Sequence, residues 1–313
     1  MTLDEWMTHW TKHRVRAYST MEVERIHYGR YLKRLGDEPL ESLTPMKLRR
    51  FFESLEEGFR LAKPPLGRPH TVRLCDSLLR TSLRDAVEAG VISVNPMESV
   101  KRPRVPRPEP KYLTLEEVQR LLGEVDRSAG PGVIGVHLLV RLGLRRGEAL
   151  GLTWGDINLD SGEIQIRQQL QRVSDPDRPG RTRLSGTPLK TQGSARTLVA
   201  DDELLRRLRA LHESALTRSG PNDFVVAQLN GLPLDPDNFR TWLTKLGNSV
   251  DARVSPHRLR HTAATLMLNE SIPLTMIGAD LGHTNTATTL VYARVMANTK
   301  SAALQTLSNV LKA

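Results

Sequence analysis

Between residues 257 and 292 the chain reads HRLRHTAATLMLNESIPLTMIGADLGHTNTATTLVY. His257, Arg260 and His261 lie three and four residues apart, so on a helix they are neighbours. Ser255-Pro256 supplies an N-cap followed by proline at the first helical position. An arginine beside two histidines suits an anion, because a guanidinium forks onto phosphate or carboxylate oxygens through paired N–H donors. Upstream, the apolar run GVIGVHLLVRLGL (132–144) leads straight into Arg145 and Arg146. A buried arginine costs several kcal/mol unless paired, so the alternatives are a carboxylate such as Glu148, an anionic ligand, or two solvated side chains. Lys190 stands beside a Gln-Gly-Ser turn, where a lone lysine reads as a surface residue. His257, His261 and His283 also allow a metal reading, since histidines at i and i+4 are a ligand spacing. No carboxylate lies between them as in a metalloprotease helix, and Arg258 and Arg260 would repel a cation, so no metal is assigned. Tyr292 alone reads as a buried structural phenol, and His261, followed by TAATLML, fits a core histidine.

The whole chain fits a large anionic partner. Its 313 residues carry 45 Lys and Arg against 35 Asp and Glu, a net charge of +10 with a pI near 10.0. The surplus is shared between the parts before and after residue 110, which points to a polyanion touched by both, nucleic acid being the commonest. The single cysteine, Cys75, excludes an intrachain disulfide framework and fits a reducing cytosol; within TVRLCDSLLRTSLRDAV it reads as a helix-core residue. With no apolar run of membrane-spanning length and no signal-peptide pattern, the expectation is a cytoplasmic protein.

Four amphipathic helices are expected in the first hundred residues: 2–18, 20–35, one opening at Thr44-Pro45, and His70–Ala89. They form an all-helical bundle. Residues 59–69 and 174–186, rich in Pro and Gly, read as loops. Residues 101–111 (KRPRVPRPEPK) hold four prolines and five basic residues, a semi-rigid linker that fits a solvated spacer and a strap on a phosphate backbone equally well. The boundaries are therefore 1–100, a linker 101–111, and a second domain 112–313. In that second domain Thr114-Leu-Glu-Glu is a capping box, residues 157–173 alternate as strands, and two short strands flank Gln192-Gly193-Ser194 so that Lys190 lies near a hairpin tip. Helices follow at 201–219, 238–246 and from Ser255. The last stretch, about 300–313, carries an apolar stripe suited to folding back or docking on another subunit.

Four segments in register resemble the tyrosine recombinase (phage integrase) family: GLRRGEALGL (143–152), PLKTQGSARTLVA (188–200), HRLRHTAATLML (257–268) and LGHTNTATTLVYARV (281–295). The resemblance implies a mainly α fold with a small antiparallel β-sheet: an N-terminal SAM-like, core-binding helical bundle and an α+β catalytic domain. It implies that Tyr292 is the nucleophile on a DNA phosphodiester and that Arg145 and Arg260 clamp the non-bridging oxygens. Lys190 would be the general acid, with His257 in proton transfer and His283 on a phosphate oxygen. Glu148 and His261 would support this set. On the strap reading of the linker's charge, Lys101, Arg102, Arg104 and Arg107 would contact DNA. A phenol with a pKa near ten needs such help. No cofactor is implied, since the phosphotyrosyl bond conserves the energy of the broken one.

The same resemblance implies double-stranded DNA as partner and a homotetramer on paired sites, with protomers monomeric or weakly associated without DNA and the final helix docked in trans. Strand exchange would pass through a Holliday junction, at the nucleoid. The opening MTLDEWMTHW looks like the start of the core-binding domain; a two-domain recombinase and one preceded by an arm-binding domain both fit. Two rival readings stand beside a recombinase: a relaxing type IB topoisomerase, and a catalytically silent DNA-binding protein on the same fold.

Overall fold

The computed structural model describes residues 1–14, 16–61, 69–103, 111–175, 177–178, 181–189, 192–214 and 220–282. The chain divides into two compact units, Met1–Pro108 with Val173–Gly180 and Glu109–Arg172 with Arg181–Ala313. The fold is mainly α-helical with short antiparallel strands, and among the described residues no helix is long and apolar enough to cross a membrane.

The first unit is helical, as its periodicity requires. α1 (Leu3–Lys12) begins with a capping box in which Thr2 accepts from Glu5 N–H and Glu5 returns a bond to the Thr2 N–H. Its apolar stripe Leu3, Trp6, Met7 and Trp10 is buried. The two indole N–H groups donate to Ser82 O at 3.0 Å and Asp85 Oδ2 at 2.8 Å of a later helix, so neither tryptophan buries an unsatisfied donor. α1 is shorter than the 2–18 expected. The run 20–35 is also not one helix. α2 (Tyr18–His27) widens into a π turn over Tyr28–Leu32 and tightens into a 3-10 turn over Lys33–Leu35. Gly29, a weak helix former, sits in the widened turn, and the change of pitch delivers both Leu32 and Leu35 to the core. α3 (Pro45–Leu61) and α4 (Pro69–Glu88) complete the bundle. Cys75 is fully buried on α4, where burial pushes its thiol up to about 12; it is a packing residue, as expected.

In the second unit α5 (Leu115–Arg127) opens with the expected Thr114/Glu117 capping box and runs past Leu122. α6 (Gly132–Arg141) is almost wholly buried, and α10 (Pro256–Asn269) packs along it. α7 (Arg146–Gly151) follows α6 after a turn at Gly143. The strands are β1 (Glu163–Ile166), β2 (Gln168–Ser174), β3 (Thr182–Pro188) and β4 (Arg196–Val199). β1 pairs antiparallel with β4, Ile166 opposite Arg196 and Ile164 opposite Leu198, and β2 pairs with β3. Two expectations fail here. Part of the 174–186 loop is strand β3, whose Ser, Gly and Pro gave it the composition of a turn. The strands flanking 192–194 are not partners of one hairpin, because each pairs with an earlier strand. α8 (Asp202–Ser214), α9 (Pro236–Ser249) and α11 (Leu274–Asp280) complete the described elements.

Candidate active site

α10 begins as its sequence specifies: Ser255 accepts from Arg258 N–H at 3.2 Å, and Pro256 occupies the first turn. From that start the helix directs Arg260 inward, where it is 4% exposed. Its guanidinium donates to Gly143 O at 2.8 Å and Leu281 O at 2.5 Å, with Glu148 Oε2 3.8 Å away. The close approach of α11's end to the α6–α7 turn depends on Gly143. Its φ is +61°, and a Cβ there would lie 2.5 Å from Leu281 Cδ2.

Arg145 sits at the N-cap of α7. Its backbone N–H donates to Glu148 Oε2 at 2.9 Å, its Nη1 to Oε1 at 2.6 Å and its Nη2 to Gly282 O at 2.9 Å. The side chain remains 40% exposed while Glu148 is 1% exposed. The carboxylate therefore orients an arginine that solvent and an incoming anion still reach. Of the alternatives for the pair after α6, Arg145 is paired. Arg146 turns away, to Pro236 O at 3.0 Å and Asp237.

A third arginine, not singled out from the sequence, completes the cluster. Arg196 on β4 is 8% exposed. It donates to Glu148 Oε2 at 2.9 Å, Ser194 O at 3.0 Å and Asp280 O at 2.5 Å. Strand alternation carried the signal. Leu198 is the core residue of β4, and Arg196, two positions earlier, shares its face. Burial pushes the Glu148 carboxyl up, but the hydrogen bond and charge of Arg196, with the backbone and side-chain hydrogen bonds of Arg145, outweigh it and hold the group below the usual carboxylate range.

His257 and His261 are joined on the outer side of α10, Nε2 to Nε2, at 2.8 Å, with ring centroids 4.1 Å apart. One ring must donate and the other accept, so the bond exists only while at least one ring is neutral. Removal from water, then the charges of Arg260 and Arg145, lower His257. Removal from water, then His257 and Arg260, lower His261 to about 4. Lys101 and Arg102 are exposed. Lys190, His283, Tyr292, Arg104 and Arg107, with the 300–313 stretch, lie outside the described residues.

Chemically, the cluster is one carboxylate among three guanidiniums, a surplus of positive charge with an accessible face at Arg145. That is a receptor for an anion with several oxygens, such as a phosphodiester. Fold and site thus define a mainly helical protein with a built receptor for an anionic ligand. Residues 111–299 match the phage integrase family, and the chain belongs to that family of tyrosine recombinases. It is 26% identical over 308 residues to a XerC-like tyrosine recombinase of Caldanaerobacter subterraneus subsp. tengcongensis, covering 91% of this chain and 76% of the relative. The fold is also that of the Tn1549 transposon integrase in complex with transposon right-end DNA, with a TM-score of 0.75 and 18% identity over 96% of this chain and all of that one. A lambda integrase tetramer bound to a Holliday junction has a TM-score of 0.68 and 17% identity, covering 91% of this chain and 78% of that one. The protein is accordingly a site-specific recombinase, an enzyme that cleaves and rejoins DNA strands; the topoisomerase and catalytically silent readings are not favoured.

Proposed function

We propose that this recombinase uses Tyr292 as nucleophile, with Arg145, Arg260, Lys190, His257 and His283 around the scissile phosphate. The phenolic oxygen forms a bond to phosphorus and the bond to the 5′-oxygen breaks. The phenol proton passes toward His257 and Lys190 supplies a proton to the leaving 5′-oxygen, freeing a 5′-hydroxyl and leaving a 3′-phosphotyrosyl link. Arg145 and Arg260 offset the charge that grows on the non-bridging oxygens in the pentacoordinate state. Rejoining is the reverse reaction with another strand's 5′-hydroxyl, which requires no cofactor.

One observation carries this reading. Arg145 and Arg260, distant in sequence, meet at Glu148 and at the carbonyls of Gly282 and Leu281. His283 is the next residue in the chain, and Tyr292 follows nine positions later.

The domain assignment goes with it: residues 1–100 grip duplex DNA as a core-binding unit, 101–111 form the linker, and 112–313 carry the chemistry. Lys101, Arg102, Arg104 and Arg107 lie along the phosphate backbone. Four protomers act on two sites and exchange strands through a Holliday junction. The 300–313 helix docks on a neighbour, and protomers are monomeric or weakly associated away from DNA. A DNA substrate fits work at the nucleoid, in the cytoplasm; the roles of integrase, transposon recombinase and chromosome-dimer resolvase all fit the same chemistry. The lambda integrase tetramer on a Holliday junction supports the assembly.

The test is a nicked duplex of the cognate site, which traps the covalent complex because the leaving strand diffuses away. Wild-type protein should form the complex in EDTA, and Tyr292→Phe should form none while still shifting the DNA in a gel. A covalent complex formed by Tyr292→Phe would remove Tyr292 from its role.

A further inference from the structure

Three arginines hold three consecutive carbonyls at the end of α11: Arg196 on Asp280, Arg260 on Leu281 and Arg145 on Gly282. All three also face Glu148. Arg145 and Arg260 have a role in the proposed chemistry. Arg196 has none assigned, yet each of its three guanidinium nitrogens is bonded to a protein oxygen. Such a group does not reach substrate. It fixes the groups that do.

Two features make Arg196 more than one more internal ion pair. First, it controls the carboxylate. Glu148 Oε2 accepts from the Arg145 backbone and from Arg196 Nη2, while Oε1 takes Arg145 Nη1. Without Arg196 the carboxylate plane can rotate about its last bond, and Arg145, 40% exposed, would rotate with it. Second, the turn that hands the chain to His283 is moulded on the guanidinium. Gly282 has φ +64°, and a Cβ there would lie 2.8 Å from Arg196 Nη1. A β-strand residue thus ties the phosphate clamp to the turn leading toward the nucleophile.

We propose that Arg196 is a positioning residue for strand cleavage. Its bonds to Glu148 and to the α11 carbonyl end hold Arg145 and the Leu281–Gly282 turn in register. The inference rests on the reading of Arg145 and Tyr292 given above; the wild-type and Tyr292→Phe trapping experiment tests the nucleophile separately from Arg196.

The test uses full-length Arg196→Ala and Arg196→Lys and reads three quantities: single-turnover cleavage of the nicked site, affinity for the same DNA, and melting temperature. Misplacing a reacting group by about 1 Å costs on the order of 100-fold in rate, so Arg196→Ala should cleave about 100-fold more slowly while its DNA affinity changes by less than about threefold. Millimolar guanidinium, against sodium chloride of equal ionic strength, should restore Arg196→Ala about 10-fold toward wild type and leave Arg196→Lys and wild type unchanged, because a lysine occupies the space without the forked donors. Cleavage by Arg196→Ala within about threefold of wild type would overturn the proposal; so would a cleavage loss that tracks lost DNA affinity and melting temperature with no guanidinium response. Should Arg196→Ala not fold, Arg196→Lys decides: slowed cleavage at unchanged affinity and melting temperature supports the proposal, and unchanged cleavage overturns it.

Discussion

Two charge clusters in the second unit are built from the same residue types and arrive at opposite balances. Around Glu148 three arginines share one carboxylate, and Glu148, Arg196 and Arg260 are all under 10% exposed. Around α8 the count is even. Arg207 forks onto Asp126 and reaches Glu203, Arg206 pairs with Glu203, and Arg141 with Asp201. His137 joins through Asp126; burial lowers its pKa first, opposed by that carboxylate. The charged groups of the even network are partly exposed, from 22% at Arg207 to 65% at Arg206, where ion pairs contribute less than in a dry interior. The uneven one is buried, where excess charge is costly. A protein keeps such an imbalance where a further anion completes it, and this contrast separates a site from a surface lattice more sharply than any single residue does.

Neutralising one acid in each cluster tests the contrast and should give the largest effects. Glu148→Gln leaves three guanidiniums facing a neutral amide. Breaking a buried pair costs about 3–5 kcal/mol in denaturant unfolding, and cleavage of the nicked site should fall on the order of 100-fold or more as Arg145 loses its orientation. Asp126→Asn should cost no more than about 1 kcal/mol, with cleavage unchanged. Equal losses in the two variants would erase the distinction between the clusters. The pH dependence has the same origin. Because the Glu148 carboxyl is held below its ordinary value, its contribution is present above the unfolded carboxylate range and is lost as pH falls through the folded value.

The parts legible in the sequence were those with strong local grammar. Thr114 and Glu117, Ser255 and Pro256, and the stripe Leu3, Trp6, Met7, Trp10 specify their elements through neighbours three or four residues away. Arg145 with Glu148 was legible for the same reason, as a charge pair one helical turn apart. The meeting of Arg145 with Arg260 was not readable locally, because it is made by α10 packing on α6. Arg196 was missed although Leu198 gives the phase of its strand, since an arginine beside a polar turn reads as solvated until its tertiary partners are known. The π turn at Tyr28–Leu32 was missed because side-chain periodicity sets the face of a helix and hardly its pitch. β3 was missed because TRLSGTP has turn composition and is recruited by β2.

A smaller effect compares two glycines with the same backbone and different surroundings. Gly282 and Gly90 have φ +64° and +70°, but a Cβ at Gly282 meets Arg196 while one at Gly90 meets nothing within 4 Å. Alanine at either position carries the left-handed backbone cost of roughly 1–2 kcal/mol. Only Gly282→Ala should also slow cleavage at unchanged DNA affinity, because only there does the added carbon displace an arginine of the site. A Gly90→Ala protein slowed to the same extent would mean that general loosening, not the turn on Arg196, is what cleavage senses.

The smallest effect concerns the histidines, and its direction follows from their surroundings. His261 is held at about 4 by removal from water, by His257 and by Arg260, against an ordinary 6.5. His257 is lowered in the same sense by removal from water, Arg260 and Arg145. The described groups that shift the two rings are arginines and the neighbouring histidine, whereas His137 has Asp126. As pH falls below 6.5 the unfolded chain takes up a proton that the folded His261 refuses until about 4, so stability must decline across that window. His261→Gln removes the group and should flatten the decline, measured by denaturant midpoints at pH 7, 6 and 5, leaving a residual slope from His257. It also leaves His257 Nε2 facing an amide instead of a ring, so the acid limb of the cleavage profile should move while the rate at neutral pH changes little. A decline as steep in His261→Gln as in wild type would show that the arginines set the acid sensitivity of this face without the second ring.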